Sequence, residues 1–83
     1  MIKDAKHSHN MPSLKKHSIT IAGHATSFTL EDEFWTELQH IADQKKTSIA
    51  ALIRTIDETR GAQNLSSAIR IYILMSIKKS NGS

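Results

Sequence analysis

The stretch Thr26-Ser27-Phe28-Thr29-Leu30-Glu31-Asp32-Glu33-Phe34-Trp35-Thr36-Glu37-Leu38 changes its hydrophobic period at Glu31. Before that point Thr26, Phe28 and Leu30 alternate with Ala25, Ser27 and Thr29, the period of a strand with one apolar and one hydroxyl-bearing face. Beyond it Phe34, Leu38, Ile41 and Ala42 recur at helical spacing, and Trp35 widens the stripe. The first segment is β-branched and aromatic enough to be a strand, at residues 24–30. The second predicts a helix over roughly 31–45. Glu31, Asp32 and Glu33 fall in its first turn, where the positive end of the helix dipole favours acids, so this acid cluster has a structural reason to exist.

Downstream, Lys45-Lys46 forms a short connection, and Thr47 or Ser48 is a natural N-cap for a second helix at about 48–60. Its apolar stripe is Ile49, Leu52, Ile53 and Ile56, and Arg60-Gly61 supplies the chemistry of a helix end. Asn64 can cap a third helix at about 65–78. There Ile69, Tyr72, Ile73 and Ile77 line one side while Ile71, Leu74 and Met75 cover another. A helix apolar around most of its circumference has to be covered by more than one small chain, which points to a subunit interface. Upstream, Ser18-Ile19-Thr20-Ile21 is a second short extended segment, set off from residues 24–30 by Gly23 at a turn or kink. Residues 1–16 hold the one Pro, Pro12, show no hydrophobic period and read as a flexible basic arm. The organisation expected is therefore an arm at 1–16, a domain at 17–79 and a frayed tail at 80–83. The fold class is mainly α with one short N-terminal strand, and that strand needs a partner to pair with.

The whole chain has 83 residues, of which 39% are hydrophobic and 5% aromatic, too few for a generous core. Chains of this size seldom gain more than about 3–5 kcal/mol without a staple. Cys is absent, which removes disulfides, thiolate metal sites and Cys nucleophiles. No apolar run approaches a membrane span and no signal-peptide stretch opens the sequence, so the expected setting is the cytoplasm, with no membrane partner. The net charge is +3 and the pI about 9.5. Four Lys stand against Asp4 in residues 1–24, and residues 31–43 carry five acids without a Lys or Arg. Seven Lys and Arg follow, against Asp57 and Glu58. Basic ends around an acidic middle suit an anionic partner such as nucleic acid, and equally suit a solvated surface with a tail.

Taken together, the strand entering Glu31-Asp32-Glu33-Phe34-Trp35-Thr36-Glu37-Leu38, the short turn, and Thr47-Ser48-Ile49-Ala50-Ala51-Leu52-Ile53-Arg54 resemble a ribbon-helix-helix protein, the superfamily of the Met and Arc repressors. The longer run from Lys16 to Leu74 is similar to small bacterial proteins grouped as ribbon-helix-helix domains; it includes Ile21-Ala22-Gly23-His24 and Asn64-Leu65-Ser66-Ser67-Ala68-Ile69-Arg70. The resemblance implies an intertwined homodimer, its core built from Phe28, Leu30, Trp35, Ile69 and Ile73. It implies a ribbon, one strand from each chain, that enters the major groove of double-stranded DNA and turns Ala25, Ser27 and Thr29 toward base edges. It also implies phosphates held at the start of the second helix by Thr47 and Ser48, with Lys45 and Lys46 beside them. Lys15 and Lys16 would follow the flanking backbone. Thr29 has a competing role as a cap for the first helix. The strand lacks a long polar side chain among the three outward positions, and the turn before Thr47 lacks the usual Gly.

The function implied is a DNA-binding transcriptional regulator, of the repressor type, that needs no cofactor. The rival from another class is a protein-interaction module, an antitoxin or adaptor, that holds a protein partner through Ile71, Leu74 and Met75. His7, His9, His17 and His24 are candidate Zn or Ni ligands; two of them lie in the arm, and the expectation is no metal site. No Gly-rich phosphate loop and no nucleophile–base pair is present, so the expectation is also no enzyme.

Overall fold

The computed structural model describes residues 14–82, with side chains to residue 80. Its elements are β1 (Leu14–Ile21), β2 (His24–Glu31), α1 (Asp32–Gln44), α2 (Ile49–Thr59) and α3 (Leu65–Gly82). The order of a ribbon followed by helices is the one expected, and α1 and α2 begin and end close to their expected limits; α3 begins where expected but continues to Gly82, so residues 80–82, expected in a frayed tail, belong to the helix. The strand count differs from the expectation. Residue 14 already opens β1, and β1 pairs antiparallel with β2 in the same chain, from Leu14 opposite Glu31 to Ile21 opposite His24. The strand expected to lack a partner therefore has one nearby. Leu14, Lys15 and Lys16, expected in the arm, belong to the ribbon; the rest of that arm, with His7 and His9, lies outside the described residues.

A two-residue turn makes the hairpin possible. Ala22 (φ 52°) and Gly23 (φ 82°) both adopt positive φ, the pattern of a turn whose twist matches that of the strands it joins. Gly23 takes this conformation without a Cβ penalty, whereas Ala22 does not.

The inner face of the hairpin carries His17, Ile19 and Ile21 from β1 opposite Phe28, Thr26 and His24, with Leu30 one pair further along β2. Phe28, Leu30 and Ile21 are buried in the core with Leu38, Ile41, Leu52, Ile53, Ile56, Ile69 and Ile73. The largest fully buried side chains are Leu30, Leu38, Ile53, Ile69 and Ile73, so β2 and all three helices each contribute to the centre. Each such side chain stabilises the fold by about 1.5–3 kcal/mol relative to exposure. His17 completes the inner face. Its ring stacks on Trp35 (centroids 4.0 Å apart, 15° between planes) and lies 5.4 Å from Phe28, while its buried Nε2 has no hydrogen-bond partner among the described residues.

The turn from α1 to α2 closes with a left-handed residue. The amide of Lys46 donates to the Asp43 carbonyl (3.0 Å) and that of Thr47 to Ala42 (2.9 Å), which satisfies the last carbonyls of α1. The residue that must take positive φ for this is Lys46, at 56°, where Gly is the usual occupant. α3 packs against α1, α2 and β2. Among the described residues no helix is long and apolar enough to cross a membrane.

Candidate nucleic-acid interface

Two features lie at the polar surface of the hairpin: its outward face and the start of α2. Side chains alternate across a strand, so the pairs Lys16–Thr29, Ser18–Ser27 and Thr20–Ala25 share the face opposite the core. All six residues are exposed. The three outward residues named from sequence, Ala25, Ser27 and Thr29, thus form one row, and Lys16, Ser18 and Thr20 form a second that sequence reasoning had not placed beside them. The hydroxyls of Ser18 and Ser27 meet across the ribbon at 3.4 Å.

Thr29 does not cap α1. The N-cap position is Glu31, whose side chain makes no capping hydrogen bond, and the Thr29 amide instead donates to Ser66 Oγ at 3.1 Å. That contact joins the free edge of β2 to the first turn of α3. Asn64 Oδ1 accepts from the Ser67 amide (3.2 Å) and caps the same turn. One turn further on, the Arg70 guanidinium grips Glu31 through Nε (2.8 Å) and Nη2 (3.5 Å). The hydrogen bond from Arg70, followed by one from Glu31's own backbone, holds the Glu31 carboxyl below its ordinary range.

α2 begins differently. Of the two caps open in the sequence, Ser48 is the one used: its Oγ accepts from the Ala51 amide at 3.0 Å. The amides of Ile49 and Ala50 make no bond within the helix, as at any helix start. Lys45, Lys46 and Ser48 are exposed around this end, and Thr47 is half-buried. A shallow cleft lined by Thr20, Ala22, Ala50, Ala51 and Arg54 brings the first turn of α2 beside the tip of the hairpin. The start of α2 and the ribbon are therefore neighbours in space as well as in chemistry.

The remaining cations divide cleanly. Lys15 points to the helix side of the ribbon and pairs with Asp32 Oδ2 at 3.6 Å. Arg54 pairs with Glu58 (3.2 Å) and Arg60 with Asp57 (2.6 Å), on the same helix or at its end. Lys16 points outward. Phe28, Leu30, Ile69 and Ile73 are covered by their own chain, and Trp35 is covered in part by His17. The large apolar side chains left exposed on α3 are Ile71 (45%), Leu74 (53%), Met75 (58%) and Ile77 (37%). No group of three or more His, Cys, Asp or Glu side chains is placed to hold a metal ion among the described residues.

Comparison with known proteins agrees with this architecture. No curated protein and no solved structure matches the chain. A family model described as a ribbon-helix-helix domain matches residues 14–77, from the first residue of β1 to well into α3. The chain belongs to the ribbon-helix-helix domain family.

Proposed function

We propose that this protein is a homodimeric DNA-binding transcriptional regulator, of the repressor type, that lays its ribbon in the major groove of double-stranded DNA. Ribbon-helix-helix domains generally bind DNA as transcription regulators and usually dimerise. The observation that carries the reading for this chain is the outward ribbon face flanked by the start of α2. A major groove about 12 Å wide admits a two-stranded ribbon, whose strands lie about 4.8 Å apart. Ala25, Ser27 and Thr29 then face base edges. Lys45 and Lys46, with Thr47 and the amides that follow Ser48, then meet the adjacent phosphates.

The second copy covers Ile71, Leu74 and Met75, which the chain cannot cover itself. The same surface supports the alternative of a protein partner, as for an antitoxin or adaptor. Light scattering separates the two: a dimer at micromolar concentration is expected, and a monomer that associates only with a different protein supports the alternative.

Duplex titration across a salt series tests the main reading. Each phosphate neutralised adds about 0.9 to the slope of log K against log salt, so four lysines per dimer predict a slope near −3.6 from this source alone. Binding that is insensitive to salt would remove the phosphate role of the α2 start.

A further inference from the structure

We propose that the hollow between the ends of α1 and α3 binds a small amphiphilic carboxylate, and that this ligand loosens DNA by occupying Lys45. The effect on DNA rests on the phosphate role of Lys45 proposed above, whereas the site itself rests on α1 and α3 alone.

The hollow arises from a change of residue type along α3. Positions 69, 73, 76 and 80 follow one face of the helix. Ile69 and Ile73 are fully buried, but the same face continues as Ser76 and Ser80. Two small hydroxyl side chains thus stand where the stripe would otherwise carry large apolar ones, and α1 does not close the gap. A cavity of about 480 Å³ is left between Glu37, Ile41 and Lys45 on one wall and Ser76, Ile77 and Ser80 on the other. That volume falls within the roughly 300–1,000 Å³ of small-molecule sites. At about 3.6 residues per turn, Ile71, Leu74 and Met75 centre on the opposite side of α3, so covering them does not fill the hollow.

The lining selects the ligand. Ile41 is buried and Ile77 exposed, and together they offer an apolar wall to a short hydrocarbon chain. Lys45 and Lys79 bring two ammonium groups against one carboxylate, Glu37, which already lies 4.0 Å from His40 Nδ1. Lys45 is exposed and has no ion-pair partner among the described residues. Carbonyls at the end of α1 are taken by the amides of Lys45, Lys46 and Thr47, so side chains are left to do the recognising. An apolar body with one anionic end matches these walls, and a carboxylate gives Lys45 a charge-assisted hydrogen bond.

Lys45 also links the hollow to DNA. It is the C-cap of α1 and stands three residues before Ser48, the cap of α2. An ammonium held by a carboxylate is withdrawn from the adjacent phosphate. Ligand and duplex then each lower the affinity of the other by the same factor.

The test uses sodium octanoate below its micelle concentration, with 1-octanol and octylamine as its neutral and cationic counterparts. Amide NMR shifts of the full chain should saturate with octanoate at Ile41, Lys45, Ser76 and Ile77 and stay small at Ile71, Leu74 and Met75. Octanoate should bind about ten-fold more tightly than 1-octanol. Ser76→Leu extends the buried stripe into the hollow; it should abolish the saturable shifts and leave duplex affinity within about two-fold. Ser80→Leu is the second variant if Ser76→Leu loses helix by circular dichroism. In anisotropy, saturating octanoate should weaken the wild-type duplex complex about five-fold and leave the Ser76→Leu complex unchanged, with sodium acetate as the ionic control. Shifts that grow without saturation, spread over Ile71, Leu74 and Met75, or follow octylamine more than octanoate would overturn the site. Saturable binding in the hollow with unchanged duplex affinity would overturn the coupling. A chain that binds octanoate there but no duplex would overturn the groove reading, and the coupling with it, while supporting the site.

Discussion

The starts of α2 and α3 are built from the same parts and used in opposite ways. Each opens on a side-chain cap, Ser48 or Asn64, and each has further hydroxyls or cations close by. At α3 the chain consumes these groups itself: Ser66 receives the Thr29 amide, and Arg70 closes on Glu31. At α2 they face solvent beside the ribbon tip, with Lys45 and Lys46 exposed and without an acid paired to them among the described residues. One helix start is a joint and the other an open end. The difference teaches that a capping motif identifies a helix start, while the surrounding partners decide whether it serves the fold or a ligand.

The strongest way to break this contrast is charge reversal. Lys45→Glu with Lys46→Glu should lower duplex affinity more than 100-fold (~2.7 kcal/mol) and change the melting temperature little, as read by anisotropy and calorimetry. Asn64→Ala should do the reverse, costing about 1 kcal/mol of stability in denaturant unfolding while duplex affinity stays within about two-fold. Equal affinity losses at the two helix starts would abolish the distinction. Ser66→Ala should cost about 0.5–1.5 kcal/mol and speed hydrogen exchange at the Thr29 amide, which loses its acceptor.

Lys46→Gly sharpens the comparison from the other side. Removing a Cβ from the positive-φ position should stabilise the fold by about 0.5–1 kcal/mol, yet duplex affinity should fall because a cation is lost. The smallest effect concerns the joint at α3. Glu31 titrates below its ordinary value of 4.5 in the folded chain because Arg70 holds it. Its contribution is complete above that ordinary value and is lost as pH falls through the lowered one. A thermal-unfolding series should therefore show a slightly smaller acid-induced decline in Glu31→Gln than in the wild type.

Much of this architecture was legible in the sequence because its signals are local. The alternation around Phe28 and the helical stripes through Leu38, Ile53 and Ile73 match the observed core. Asn64 caps α3 as expected. β1 was harder for a physical reason. Its inward position 17 is a His, which is half-buried by stacking on Trp35 and gives no apolar signal, so the alternation fades before Ile19. The turn compounds the difficulty, since Ala22-Gly23 lacks the Asn-Gly or Asp-Gly pair that marks most such hairpins. Residues 18–21 were legible as an extended segment, but residues 14–17 and the pairing of β1 with β2 were not. The β2 row of the candidate site could be named, but its companion row could not. Lys15 and Lys16 are neighbours in sequence, and only the register of the hairpin separates the cation paired with Asp32 from the outward one.

The stack of His17 on Trp35 also equips the protein with an internal optical gauge. Trp35 is the only tryptophan, so all indole emission originates where β1 lies against α1. Any event that lifts the hairpin from the helices, whether dilution, denaturant or engagement of a duplex, changes the ring that indole faces. The docking of the ribbon can therefore be followed in real time with the unlabelled chain, separately from the overall loss of helix.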